Sequence, residues 1–177
     1  MAYPEIQTPT TLTQVGVKVV ERRRTRAALG QCLVVSTNQQ RGDQFERAAA
    51  DGGWQATTCR NAQTAAVVVA HLRFHLAIVD LQRSSENRLA RAGLRQLAEA
   101  LAAEAGLLLV LCGNDGDAVE EIWAHQLGVW LYLPGVDETC DLAMVCGEAR
   151  AVVEKLNPQL AAKSKAQNSC GFMAAGG

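Results

Sequence analysis

The chain has 177 residues, of which 49% are hydrophobic and only 5% aromatic, so its core must be built mainly from Leu, Val and Ala. Formal net charge is -1, which excludes a global field steering the protein to nucleic acid or to an anionic membrane. No stretch is long and apolar enough to span a bilayer, and "MAYPEIQTPTTLTQ" lacks the basic and apolar regions of a secretory signal, so the expected location is the cytoplasm. The six cysteines, Cys32, Cys59, Cys112, Cys140, Cys146 and Cys170, show no C-x-x-C spacing. Reduced thiols are expected, with no zinc site and no metal.

The N-terminal segment, residues 1–30, reads as an extension that is flexible or contributes one extra strand. Within it "VGVKVVE" (Val15–Glu21) alternates weakly, as a strand or an arm on a partner would. "ERRRTR" (Glu21–Arg26) is the one basic cluster and reads as a solvated segment before the fold.

Five short apolar runs then follow: Cys32–Ser36, Trp54–Cys59, Leu76–Asp80, Leu107–Cys112 and Val129–Leu133. Their starts lie 22, 22, 31 and 22 residues apart, room for one helix and two short loops each time. The intervening segments carry helical periodicity. Phe45, Ala48 and Ala49 mark the first helix, which Gly52 and Gly53 end. Ala62 to Leu72 gives a short apolar second helix, and Leu94, Leu97 and Leu101 stripe a third that Gly106 closes. Val119, Ile122, Trp123 and Leu127 stripe the fourth. The fifth has the strongest stripe, from Leu142 through Cys146, Ala149 and Val153 to Leu156, and stops at Asn157-Pro158. Strands alternating with helices argue for a parallel sheet covered on both faces. The expected fold is a (βα)5 flavodoxin-like doubly wound domain over residues 31–157, with strand order 2-1-3-4-5 and a flexible tail over 158–177. The tail reads as carrying no DNA-binding or enzymatic domain.

In such a sheet, function collects at the carboxyl ends of the strands. Those ends are Ser36, Thr37 and Asn38 after the first strand, Asp80 at the third, Cys112, Gly113 and Asn114 at the fourth, and Leu133, Pro134 and Gly135 at the fifth. "LAIVDLQ" is the notable one, a buried run that stops on a carboxylate. Asp115 and Asp117, in "GNDGDAVEE", either swing toward these strand ends or open the fourth helix, where carboxylates suit the positive end of the dipole.

The spacing, "LAIVDLQ", the Gly128 before the fifth strand and "GVWLYLPG" together resemble the receiver domain of bacterial response regulators. The resemblance covers about 125 residues and implies that Asp80 stands at the phosphoacceptor position. It also implies an acidic pair after the first strand that holds Mg²⁺, a Ser or Thr ending the fourth strand, and a Lys-Pro pair after the fifth. This chain departs from each of these. Ser36 and Thr37 replace the acidic pair, Cys112 replaces the hydroxyl, and either Gly135 or Leu133 stands where the lysine would be. Mg²⁺ wants a shell of hard oxygens, usually with carboxylates, and phosphoryl transfer needs its equatorial charge neutralised. The resulting reading is a degenerate, pseudo-receiver-like member: a non-catalytic signalling or scaffolding module, independent of phosphorylation, with no cofactor.

Two alternatives stay open. A true receiver phosphorylated on Asp80 would need Mg²⁺. A flavodoxin-like nucleotide or small-molecule binder would use "STNQQRG" (Ser36–Gly42) as a phosphate loop, though that loop has one glycine, at its far end. His71, His75 and His125 read as structural residues near helix ends. Strand alternation would place Trp130 and Tyr132 on one face, and with Trp123 they either form the candidate interface or fill the core under the fourth and fifth helices. The resemblance implies a protein partner or a homodimer through the surface of the fourth helix, fifth strand and fifth helix.

Overall fold

The computed structural model describes residues 30–82, 88–137 and 140–157. Both extensions named above lie outside them, apart from Gly30. Five strand–helix repeats follow in the order β1 (Gln31–Val35), α1 (Gln39–Asp51), β2 (Gln55–Cys59), α2 (Ala62–His71), β3 (Leu76–Asp80), α3 (Arg88–Ala102), β4 (Leu108–Gly113), α4 (Ala118–Leu127), β5 (Leu131–Pro134) and α5 (Leu142–Leu156). All strand pairs are parallel and the sheet order is β2-β1-β3-β4-β5, the order expected from the sequence.

The near-continuous apolar runs are explained by burial on both faces of the sheet. Cys32, Val34, Ile78 and Val110 pack with Phe45 and Ala49 of α1 and with Cys146, Ala149 and Val153 of α5. Leu33, Val35, Ala77, Val79 and Leu111 turn the other way, onto Leu94, Ala98 and Leu101 of α3 and onto Ala65 and Ala124 of α2 and α4. A polar residue at any of these strand positions would have to be desolvated on whichever face it met.

Helix starts are set by short polar side chains. Asn38, Asn61, Asp117 and Asp141 each accept a hydrogen bond from the backbone N–H three residues on, satisfying a donor that the first turn leaves open. Gly128 ends α4 with φ 77°, the left-handed C-cap geometry that costs a glycine no side-chain clash. Trp54, placed by the sequence at the start of the second strand, sits just before β2. It is buried, and its indole N–H donates to the Cys146 carbonyl at 2.8 Å, tying this turn to α5.

Two expectations about α4 and β5 need correction. The fourth helix does not bury the stripe through Val119 and Ile122: these side chains are 74% and 57% exposed, while Glu120 and Ala124 face inward. The helix is turned toward a carboxylate that finds polar partners inside, described below. Trp130 and Tyr132 do not share a face either. Trp130 precedes β5, which begins at Leu131, and packs on the α1/α5 side, whereas Tyr132 is buried on the α3/α4 side. Strict alternation fails because the chain bends before the strand starts.

The histidines stand where the sequence put them, His71 and His125 in the last turns of α2 and α4 and His75 just before β3. His75 Nδ1 accepts the Gln31 N–H at 3.4 Å, and burial lowers its pKa. A base held neutral in the native state contributes stability that is present above its unfolded-state pKa and lost as pH falls through the folded one. The thermal unfolding midpoint should therefore fall as the pH is taken from about 7.5 to about 5. A His75→Gln variant, followed by thermal unfolding at the two pH values, should show a smaller drop.

Candidate functional site

Asp80 closes β3 at the point where strand order reverses, and its side chain is 1% exposed. An aspartate this deep requires partners for both oxygens. Ser36, at the end of neighbouring β1, donates its hydroxyl to Oδ2 at 2.7 Å. Arg41, on the first turn of α1, donates Nε to Oδ2 at 2.9 Å and Nη2 to Oδ1 at 3.0 Å, a two-pronged pair of the kind a guanidinium makes with a carboxylate. The Gln82 N–H completes the set, donating to Oδ1 at 3.2 Å. The remaining prong, Nη1, donates to the Val136 carbonyl at 2.8 Å, beyond β5.

Local structure explains how Arg41 arrives there. Asn38 caps α1 by accepting the Arg41 N–H at 3.2 Å, which fixes where the helix begins. The Asn38 N–H in turn donates to Ser36 Oγ at 3.2 Å, so the loop and the hydroxyl hold one another. One helical turn on, Phe45 lies beneath the guanidinium, 5.2 Å from ring centroid to the charged carbon.

The remaining residues singled out from the sequence surround this pair unevenly. Thr37 is exposed and stands outside the set of groups that bond Asp80. Cys112 pairs opposite Asp80 in the β3–β4 ladder and is fully buried. Burial raises its thiol pKa well above the usual value and the Asp80 charge adds to this, the reverse of what a reactive thiolate needs. Leu133 is half-buried in the α1/α5 core and Gly135 lies in the turn after β5, so neither supplies a cation. Mg²⁺, implied by the resemblance, does not fit this constellation. Asp80 is its only carboxylate among the described residues, its oxygens are taken up by Arg41 and by neutral donors, and Ser36 and Thr37 stand in place of acids. Among the described residues no group of three His, Cys, Asp or Glu side chains is arranged to hold a metal ion.

A second buried carboxylate, which the sequence reading passed over, lies on the other side of β4. Glu120 is 0% exposed. It accepts Arg91 Nη2 of α3 at 2.7 Å, the Asn114 N–H at 3.3 Å and the Tyr132 hydroxyl at 3.2 Å. Arg91 Nη2 also reaches Asp117 at 2.8 Å, and that hydrogen bond is the first cause of a lowered Asp117 pKa. Asp117 caps α4, as expected, and also anchors it to α3. Gly113 makes the arrangement possible, since a Cβ there would clash with both the Tyr132 hydroxyl and Glu120 Oε1. Burial, then the Glu120 charge, pushes the Tyr132 hydroxyl pKa up, so it stays a donor.

Of the candidate interface aromatics, Tyr132 is therefore committed to the interior. Trp123 is half-buried and carries the Arg95 guanidinium over its ring at 4.0 Å. Arg41 and Glu120 are the site residues that sequence reasoning missed. The signal for Arg41 is its place one turn past Asn38, where a helix start at the strand ends aims a side chain back at Asp80. Glu120 gives no such signal, because its spacing marks it as a solvated neighbour of Glu121.

If the Arg41–Asp80 pair is the tie that holds the strand ends, removing one partner should cost more than removing both. Arg41→Met is expected to lose about 3 kcal/mol, because it leaves a desolvated carboxylate unpaired. The double variant Arg41→Met/Asp80→Leu should regain part of that loss in urea unfolding, and a simple sum of the two single losses would disprove the coupling.

No protein-family model and no curated protein matches the sequence. Solved structures do. A response-regulator receiver domain protein (CheY-like) from Methanospirillum hungatei aligns with 78% of this chain and 98% of its own at TM-score 0.53 and 16% identity. A response-regulator receiver domain protein from Clostridium thermocellum aligns with 72% of this chain and 99% of its own at TM-score 0.57 and 15% identity. NtrX from Brucella abortus, solved in complex with ATP, aligns with 76% of this chain but only 29% of its own, at TM-score 0.58 and 18% identity. The chain thus spans less than a third of NtrX. At identities this low the likeness establishes architecture, and what it establishes is the receiver fold: five parallel strands in the order 2-1-3-4-5 with helices on both faces.

Proposed function

We propose that this chain is a pseudo-receiver: a non-catalytic, cytoplasmic signalling or scaffolding module that acts through protein contacts and without a phosphoryl switch. The observation that carries the reading is the engagement of both Asp80 oxygens by the Arg41 guanidinium in a buried setting. A carboxylate oxygen that is to attack phosphorus must present a free lone pair to the donor and have cations ready for the equatorial oxygens. Here the Arg41 cation is spent on the nucleophile itself. Displacing it would leave a buried carboxylate without its charge partner.

The same geometry supports a contact surface on α4. With Tyr132 and Glu120 turned inward, α4 shows solvent Val119 and Ile122, and these, beside Trp123 under Arg95, form the face offered to a protein partner or a second copy.

Intact mass after incubation with acetyl phosphate and Mg²⁺ tests the central claim. Wild type and Asp80→Asn should both stay unmodified while a working receiver labelled in parallel gains one phosphoryl group. A single added group on wild type alone would make Asp80 a phosphoacceptor and overturn the proposal.

A further inference from the structure

Among the described residues the sheet ends at β2: its outermost ladder is β1–β2, and no described strand lies beyond β2. The Gln55 N–H bonds the Gly30 carbonyl at 3.0 Å and the Cys59 carbonyl accepts the Ser36 N–H at 3.1 Å. In a parallel ladder every second residue turns both backbone groups to the same neighbour, so Gln55, Thr57 and Cys59 face β1. Ala56 and Thr58 consequently aim their N–H and C=O outward, at the edge. Edges of this kind are ready templates for another strand.

The helix over this side of the sheet is bare as well. Helix α2 packs on β1, β2 and α3, yet among its own residues only Ala65 is fully buried. Ala66 and Ala70 are exposed, and Val67 is 61% exposed. Exposed apolar side chains beside this edge form a surface that suits an extended, apolar partner.

We infer that Val15–Glu21 of this same chain covers that edge as a sixth strand, antiparallel to β2. The direction follows from connectivity. β1 begins at Gln31, on the end of the sheet where β2 also begins, so a short link from residue 21 to β1 requires the added strand to finish at that end. Residues 22–29 make the link. Eight residues reach up to about 26 Å, against about 10 Å for the two strand spacings to be crossed beneath β2. The residue pattern matches both faces. Val15, Val17 and Val19 fall on one side, toward the apolar surface of α2, with Glu21 at its end, and Gly16, Lys18 and Val20 fall on the other. That other side is where Glu46 of α1 accepts the Thr58 hydroxyl at 3.1 Å, so Lys18 meets a carboxylate. The arginines at 22, 23, 24 and 26 then lie in the crossing, in water, where charge is no burden.

Amide hydrogen exchange of the full 177-residue chain, read by NMR, tests this. Wild type is compared with Val17→Pro/Lys18→Pro, where adjacent residues turn their N–H groups to opposite sides, so one of the two prolines removes a ladder donor in either register. The Ala56 and Thr58 amides should exchange at least about tenfold faster in this variant than in wild type, at any protein concentration. The Ala77 and Val79 amides, deep in β3, should be equally slow in both and so confirm that the variant is folded. Equal exchange at Ala56 and Thr58 in the two proteins would overturn the inference. Protection that grows with protein concentration would overturn it too, and would assign the edge to a second copy.

Discussion

A buried aspartate with a guanidinium across both its oxygens is the constraint around which the strand ends are arranged. Asp80 closes β3, Arg41 opens α1, and the third prong of Arg41 holds the Val136 carbonyl after β5. Three segments far apart in sequence are thereby tied at one point. The pair is expensive to desolvate and is tolerable only because the prongs and the oxygens find partners. A loose Arg41 would leave the carboxylate at the centre of the site without its charge partner.

The Glu120 cluster works by the same rule on the other side of β4. A carboxylate with no exposure draws in Arg91, the Asn114 N–H and the Tyr132 hydroxyl, and Gly113 leaves the space they need. Together the two clusters organise the ends of β1, β3, β4 and β5. They also decide what the molecule shows its surroundings. Because Glu120 turns inward, Val119 and Ile122 turn outward, and an apolar face appears on α4 that helical periodicity alone would have buried.

The chain shares the receiver architecture of the solved structures, and its strand-end charges differ from those the resemblance implies. The resemblance implies carboxylates around a metal and a lysine after the fifth strand. Here a single arginine from α1 supplies the positive charge, and hydroxyl and amide groups supply the rest. An arginine is always charged and cannot leave the chain, so the charge balance of the pocket is built into the covalent structure.

Much of this was legible in the sequence. The five runs and their spacing determined the strands and the helices between them, because strands buried on both faces must be continuously apolar and parallel crossovers need a helix's length, and the order 2-1-3-4-5 is the one the flavodoxin-like arrangement carries. The place of Asp80 at a strand end near the switch point was equally plain. What only tertiary structure decided was the identity of the partners. Arg41 lies 39 residues from Asp80, and Glu120 lies 29 from Arg91 and 12 from Tyr132. No local pattern encodes such pairings, since they depend on which way each helix is rotated over the sheet. That rotation is a balance between apolar burial and the demand of a desolvated charge for its partner, and at α4 the charge prevailed.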